Sequence, residues 1–220
     1  MKTINTHGIT YIEPVSGGTP EWYYGISYEH GDLYEAEEVF RSGEPVRGNS
    51  LCLIHYPGGE IFWPIPKETG MYTEKPVYLE EKIYLLNVDF PHGWIRIFCF
   101  GCKSHEVALF QELPLSSVKN CYNLQLHSSP LSLTRQGEED MFEIIWPERI
   151  SFPMDPHESF FLRDGERLYF SKWYEEGEGP EYRYWEETVI RDLGGNLLET
   201  MPGNLQVMPN GEVWYLTGLD

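Results

Sequence analysis

The segment Asp164-Gly165-Glu166-Arg167-Leu168-Tyr169-Phe170 is a tight turn feeding a strand, and its pattern returns 46 residues later as Asn210-Gly211-Glu212-Val213-Trp214-Tyr215-Leu216. Asp-Gly and Asn-Gly between apolar segments are strong short-range hairpin signals, because these residues accept the positive φ that such turns require. The incoming strands are Phe160-Phe161-Leu162 and Leu205-Gln206-Val207. Self-similarity at a period in the forties belongs to chains built from repeated β-units.

Three fainter copies share the period. They pair Tyr24 to Ser27 with Gly31 to Tyr34, Val77 to Leu79 with Lys82 to Tyr84, and Leu124 to Leu126 with Pro130 to Leu133. Between successive copies lies a second hairpin, turning at His7-Gly8, Gly58-Gly59, Ser104-His105, Pro147-Glu148 and Gly194-Gly195. Its outgoing strand runs into Pro14, Pro64, Pro114, Pro153 or Pro202. Proline cannot donate to a strand ladder and therefore suits a strand end.

Two hairpins per period make a four-stranded unit of about 45 residues, the size of a propeller blade. The expected fold is all-β, a five-bladed β-propeller of four-stranded antiparallel blades over residues 1–220, with a two-sheet β-sandwich as the alternative. The chain opens on a second hairpin, Thr3 to Ile12, and closes on a first, Leu205 to Leu216. The last blade is therefore expected to be closed by N- and C-terminal strands, with Ile9 to Ile12 beside Val213 to Leu216.

The formal charge of −19, from 16 basic and 35 acidic residues, argues against nucleic acid and anionic membranes, which are bound by neutralising phosphates. It favours a basic partner. The first residues lack the apolar core of a secretory signal, and no apolar run reaches a membrane span, so a cytoplasmic protein is expected. Cys99-Phe100-Gly101-Cys102 has a redox-like spacing but ends a strand, and Cys52 and Cys121 stand alone, so the cysteines read as small buried hydrophobes. Acidic clusters at Glu35 to Glu38, Glu138 to Asp140 and Glu175 to Glu178 lack calcium-loop spacing and read as solvated surface. Histidines His7, His30, His105 and His127 fall at scattered turns, and His55 lies within a strand, so no metal site is expected. No nucleophile elbow is present, and Val15-Ser16-Gly17-Gly18-Thr19 lacks the setting of a phosphate loop, so no cofactor is expected.

Function normally lies in loops. In an up-and-down blade the hairpin turns share one face of the disc, while the longer second-to-third and blade-to-blade connections share the other. On that long-loop face the residues entering the innermost strands are Trp22, Lys75, Lys119 or Asn120, His157 or Glu158, and Asn204. Near them fall Tyr72, His92, Trp94 and an insertion carrying Trp173, Tyr182 and Tyr184. Trp22, Tyr72, Lys75, His92, Trp94, Lys119, His157 and Asn204 form the expected ligand surface, suited to a sugar or a peptide.

As a pattern over the whole chain, the repeat resembles two kinds of five-bladed propeller. One is the tachylectin-type lectin, and that resemblance implies sugar binding through aromatic and amide groups. The other is the arabinanase-like glycosidase, which implies carboxylates at the channel mouth, where Glu21, Glu74 and Glu158 fall. The expected function is a non-catalytic binding or interaction module. A glycoside hydrolase using Glu21, Glu74 or Glu158, or a structural subunit of an assembly, are the alternatives.

Overall fold

Glycine turns and apolar strands recur through the chain, and in a computed structural model that describes residues 1–28, 31–137 and 139–217 they form antiparallel sheets. Gly165 and Gly211 hold φ values of +59° and +86° in the turns of the two clearest repeat copies. The arrangement is propeller-like, with four antiparallel blades, three of four strands and one of five, and a further two-stranded ribbon.

Sheet 1 orders β1 (Glu13–Pro14), β2 (Trp22–Ile26), β3 (Leu51–His55) and β4 (Glu60–Phe62), with helix α1 (Leu33–Arg41) between β2 and β3. Sheet 2 holds β5 (Met71–Thr73), β6 (Val77–Leu79), β7 (Lys82–Asp89), β8 (Trp94–Gly101) and β9 (Val107–Pro114). Its innermost position is shared, since β5 pairs with one end of β7 and β6 with the other. Sheet 3 is β10 (Gln125–Ser128), β11 (Leu131–Gly137), β12 (Met141–Trp146) and β13 (Ile150–Pro153). Sheet 4 is β14 (Glu158–Asp164), β15 (Arg167–Glu176), β16 (Arg183–Asp192) and β17 (Leu197–Pro202). The ribbon is β18 (Asn204–Val207) with β19 (Val213–Leu216).

The core lies between sheets: β7 is buried almost throughout, whereas β9, β17 and β19 are mostly exposed. Trp22, Tyr24, Leu51 and Leu53 of sheet 1 meet Ile83, Leu85 and Phe100 of sheet 2. Tyr84, Leu86 and Ile97 of sheet 2 join Leu126, Leu133 and Ile145 of sheet 3, together with Leu33 and Ala36 of α1. Phe142 and Phe152 of sheet 3 meet Phe160 and Phe170 of sheet 4. Phe142 stands 4.8 Å from Phe160 and 5.2 Å from Phe170 between ring centroids, and each such pair adds about 0.5–1.5 kcal/mol beyond its buried area.

Sheet 1 departs from expectation. Leu33 and Tyr34 were expected in the second strand of a hairpin with Tyr24 to Ser27, but they open α1, and His30 of that turn lies outside the described residues. Asp32 caps the helix, accepting from the Glu35 N–H at 2.9 Å, while Glu35 Oε2 accepts from the Asp32 N–H at 2.9 Å. This capping box satisfies N–H groups that a helix start otherwise leaves unpaired. The helix occupies the connection, so β2 becomes the second strand of its sheet and Glu13–Pro14 the first.

The closure of the last blade also differs. Residues 1–12 form no strand, and β19 pairs with β18 alone among the described residues, so Ile9 to Ile12 do not lie in a ladder with Val213 to Leu216. Ile9 instead packs on Cys52 and Ile54, on the face of sheet 1 turned away from sheet 2. Gly25 makes this possible, because a Cβ there would come within 2.7 Å of Ile9 Cγ2. Apolar surface left bare on β3 therefore recruits the segment, and only the two strands β18 and β19 stand where a full fifth blade was expected. Head and tail do meet elsewhere: a Cβ on Gly18 would overlap the Gly211 backbone, so the β1–β2 loop lies directly on the β18–β19 turn.

Candidate functional site

The residues expected to form one surface are distributed over several elements. Trp22, in the second rather than the first strand, is buried between sheets, with ring centroids 4.8 Å from His55 and 5.4 Å from Phe100. Glu21 ends the β1–β2 loop, on the hairpin-turn side, and its carboxylate lies 3.8 Å from His55 Nε2. Tyr72 is buried in the core and its hydroxyl donates to the Gly31 carbonyl.

Asp89, at the end of β7, accepts from His92 Nδ1 at 2.8 Å and from Arg96 Nη1 at 2.8 Å. Burial alone would raise this carboxyl, but the bonds from His92 and Arg96 outweigh it and hold the group below the usual carboxylate range. The exposed His92 ring is thereby fixed in the turn that leads into Trp94, the first residue of β8. Lys119 pairs with Glu139 at 3.0 Å, and Asn120 Oδ1 accepts from the buried Arg135 at 2.6 Å. His157 sits on Trp173, with ring centroids 4.3 Å apart. Asn204 opens β18 and its amide donates to Glu186.

Of the candidate carboxylates, Glu158 is held by Arg191, which donates from Nε at 3.0 Å and Nη2 at 2.7 Å. Both of its oxygens are occupied. Glu74 lines a cleft of about 410 Å³ with Tyr28, Asp32 and Lys75. Its carboxyl is pushed up by burial, although the Lys75 and Leu33 N–H groups donate to it. It thus acts as a second cap on the helix that Asp32 caps. Glu21, Glu74 and Glu158 do not share a cleft.

A larger cavity, about 680 Å³, lies on the axis. The innermost strand of every sheet contributes to it: Glu13 and Pro14 of β1, Val77 of β6, Leu126 and His127 of β10, Phe161 and Leu162 of β14, and Gln206 and Val207 of β18. The β1–β2 loop forms one wall, tied to sheet 2 by the Tyr78 N–H donating to Ser16 O at 2.7 Å. Gly17 is required there, since a Cβ would overlap the Tyr78 carbonyl. The walls are mainly apolar, with Ser16, Thr19, Ser128 and Gln206 among them, and Glu13 is the charged side chain in the lining. Glu13 in turn accepts from Tyr24 Oη at 2.5 Å.

His127 is the polar feature that reasoning from sequence undervalued as a turn residue. Its ring stands edge-on to Phe160 at 4.7 Å, and its enclosed Nε2 has no hydrogen-bond partner. Burial lowers its pKa to about 4, so the ring is neutral at pH 7. The Ser-Gly-Gly-Thr stretch was the available signal, because paired glycines mark close backbone approach as well as phosphate loops.

Cys99 and Cys102 are unpaired, and burial raises both thiols, Cys102 to about 11. Thiolate chemistry needs the opposite shift. Among the described residues no three His, Cys, Asp or Glu side chains converge as metal ligands, and no helix is long and apolar enough to cross a membrane. Fold and cavity together define a propeller-like chain with an axial cleft. No model of a known protein family matches the sequence, and no curated protein matches it.

Proposed function

We propose that this protein is a non-catalytic binding module of five-bladed propeller type, in which β18 and β19 are the inner half of the fifth blade and the axial cavity receives the ligand. The observation that carries this reading is that one cavity is lined by the innermost strand of all four sheets and of the ribbon. A volume of about 680 Å³ falls within the usual range for small-ligand sites, and apolar walls with a few polar groups are their usual make-up. The lining holds Glu13 but no Lys or Arg, which disfavours an anionic ligand, and the ligand this reading favours is a short extended peptide segment or a compact molecule with apolar and hydrogen-bonding parts. Ser128 and Gln206 in the lining supply polar contacts. Four unpaired cysteines and the strongly acidic surface suit a reducing, cytoplasmic setting without nucleic-acid partners.

The test is a thermal-shift screen of neutral fragments and uncharged tetrapeptides against the protein and against Gln206→Trp, an exposed lining position where a larger side chain narrows the cavity without entering the core. Compounds that raise the melting temperature of the parent and not of the variant are expected. Hits that survive in Gln206→Trp, or none in the parent, remove the axial reading. Turnover of p-nitrophenyl glycosides that disappears in Glu74→Gln would replace it with the hydrolase.

A further inference from the structure

Strands β15 and β16 outrun their neighbours. β14 accompanies β15 as far as Lys172, and β17 accompanies β16 as far as Glu187. Beyond those positions the two strands pair with each other, held at the base by the Trp173 N–H donating to His157 O at 3.3 Å and the Gly203 N–H donating to Glu186 O at 2.9 Å, and continue as a two-stranded arm whose residues 175 to 185 are all exposed. An isolated ribbon is marginal in water. This one is braced by a cross-strand stack, Tyr174 on Trp185, with centroids 5.1 Å apart and planes within 8°.

The arm also exposes aromatic surface to solvent. Tyr182 is 51% exposed, Tyr184 53% and Trp185 40%. Its tyrosines also position carboxylates. Tyr182 Oη donates to Glu175 at 3.0 Å, Tyr184 Oη to Glu186 at 2.6 Å, and Tyr174 Oη to Glu187 at 3.0 Å. A ring face with a carboxylate at its rim attracts an ammonium or guanidinium twice, through the ring quadrupole and through a charge-assisted hydrogen bond. The protein already makes this contact once: Lys172 Nζ lies 5.2 Å from the Tyr174 centroid and 2.8 Å from Asp155 Oδ2. Between Trp173 and Glu187 the chain carries six Glu and one Arg, on a molecule of net charge −19. That field gathers cationic partners.

We propose that the β15–β16 arm is a docking surface for a Lys- and Arg-containing segment of a partner protein. The surface is separate from the axial cavity and does not depend on what occupies it. Charge brings the segment to the arm, and the rings together with their tethered carboxylates select basic side chains over small cations.

Fluorescence anisotropy of the full-length protein tests this, with a labelled octapeptide alternating Lys and Arg with Ser, a matched Glu peptide, and maltoheptaose as competitor. Two double variants separate the contributions. Tyr182→Ala with Tyr184→Ala keeps the charge, and Glu175→Gln with Glu186→Gln keeps the rings. The basic peptide is expected to bind, the Glu peptide not to bind, and affinity to fall about tenfold in each double variant, as the loss of two cation–π or two charged contacts implies. Tyr182, Tyr184 and Glu175 are exposed on the arm, so an unchanged melting temperature is expected for the tyrosine variant; Glu186 also accepts from the Asn204 amide of β18, so a small loss is expected for the carboxylate variant, and Glu175→Gln alone is its unperturbed counterpart. Should the tyrosine variant melt early, Tyr184→Phe is the second measure, and it is expected to retain more than half the affinity because the ring remains. Absence of binding by the basic peptide, binding indifferent to removal of the rings, or displacement by maltoheptaose would each overturn the proposal.

Discussion

His127 shows how one buried atom sets a pH dependence. Its folded pKa of about 4 lies below the ordinary histidine value, so between those pH values the unfolded chain binds a proton that the folded chain refuses. The stability linked to this ring is fully present at pH 7 and is lost as pH falls from about 6.5 toward 4. On going from pH 7 to pH 5, the protein should lose about 2 kcal/mol more than His127→Gln, as measured by urea denaturation. Parallel losses in the two proteins would show that the ring is hydrated. The sequence displayed this histidine beside a turn but not the Phe160 ring that covers it, because the two residues come from neighbouring sheets. Glu158 makes the same point: its position at a strand start was legible, whereas its partner Arg191 lies 33 residues away on β16.

Among the elements, the hairpins were the most legible and α1 the least. Turn residues announce themselves locally, and the hairpins at Asp164-Gly165, Asn210-Gly211, Pro147-Glu148 and Gly194-Gly195 stand where the turn chemistry put them. Leu33-Tyr34 fits a faint copy of the strand repeat, although Asp32 and Glu35 carry the spacing of a capping box. Removing the cap tests the assignment: Asp32→Ala should cost about 1 kcal/mol in chemical denaturation. An unchanged midpoint would mean that the cap contributes nothing. Glu74 would then hold the helix start alone. The β15–β16 arm was visible only as an insertion, since its outward extension depends on where β14 and β17 stop.

For the whole molecule the question is how the array closes. The contact between Gly18 and Gly211 joins the first loop to the last turn, and the ring of sheets relies on it where strand exchange between the termini was expected. Gly165 is a suitable reference, because it too has positive φ, +59° against +89° at Gly18, but open space around its missing Cβ. Gly18→Ala should therefore lose at least about 1–2 kcal/mol more than Gly165→Ala in thermal or urea unfolding, the excess over backbone strain being the steric overlap. Equal losses would mean that the two ends are not in contact. The sequence by itself determined the β class, the hairpin turns and the near-regular spacing of the strands, because turn chemistry and apolar alternation act within a few residues. The tertiary structure decided which strand of the first sheet faces the axis, where residues 1–12 pack, and that a cavity runs through the middle. Those outcomes depend on which apolar surfaces are still bare once neighbouring sheets have met, and that is settled between residues far apart in the chain.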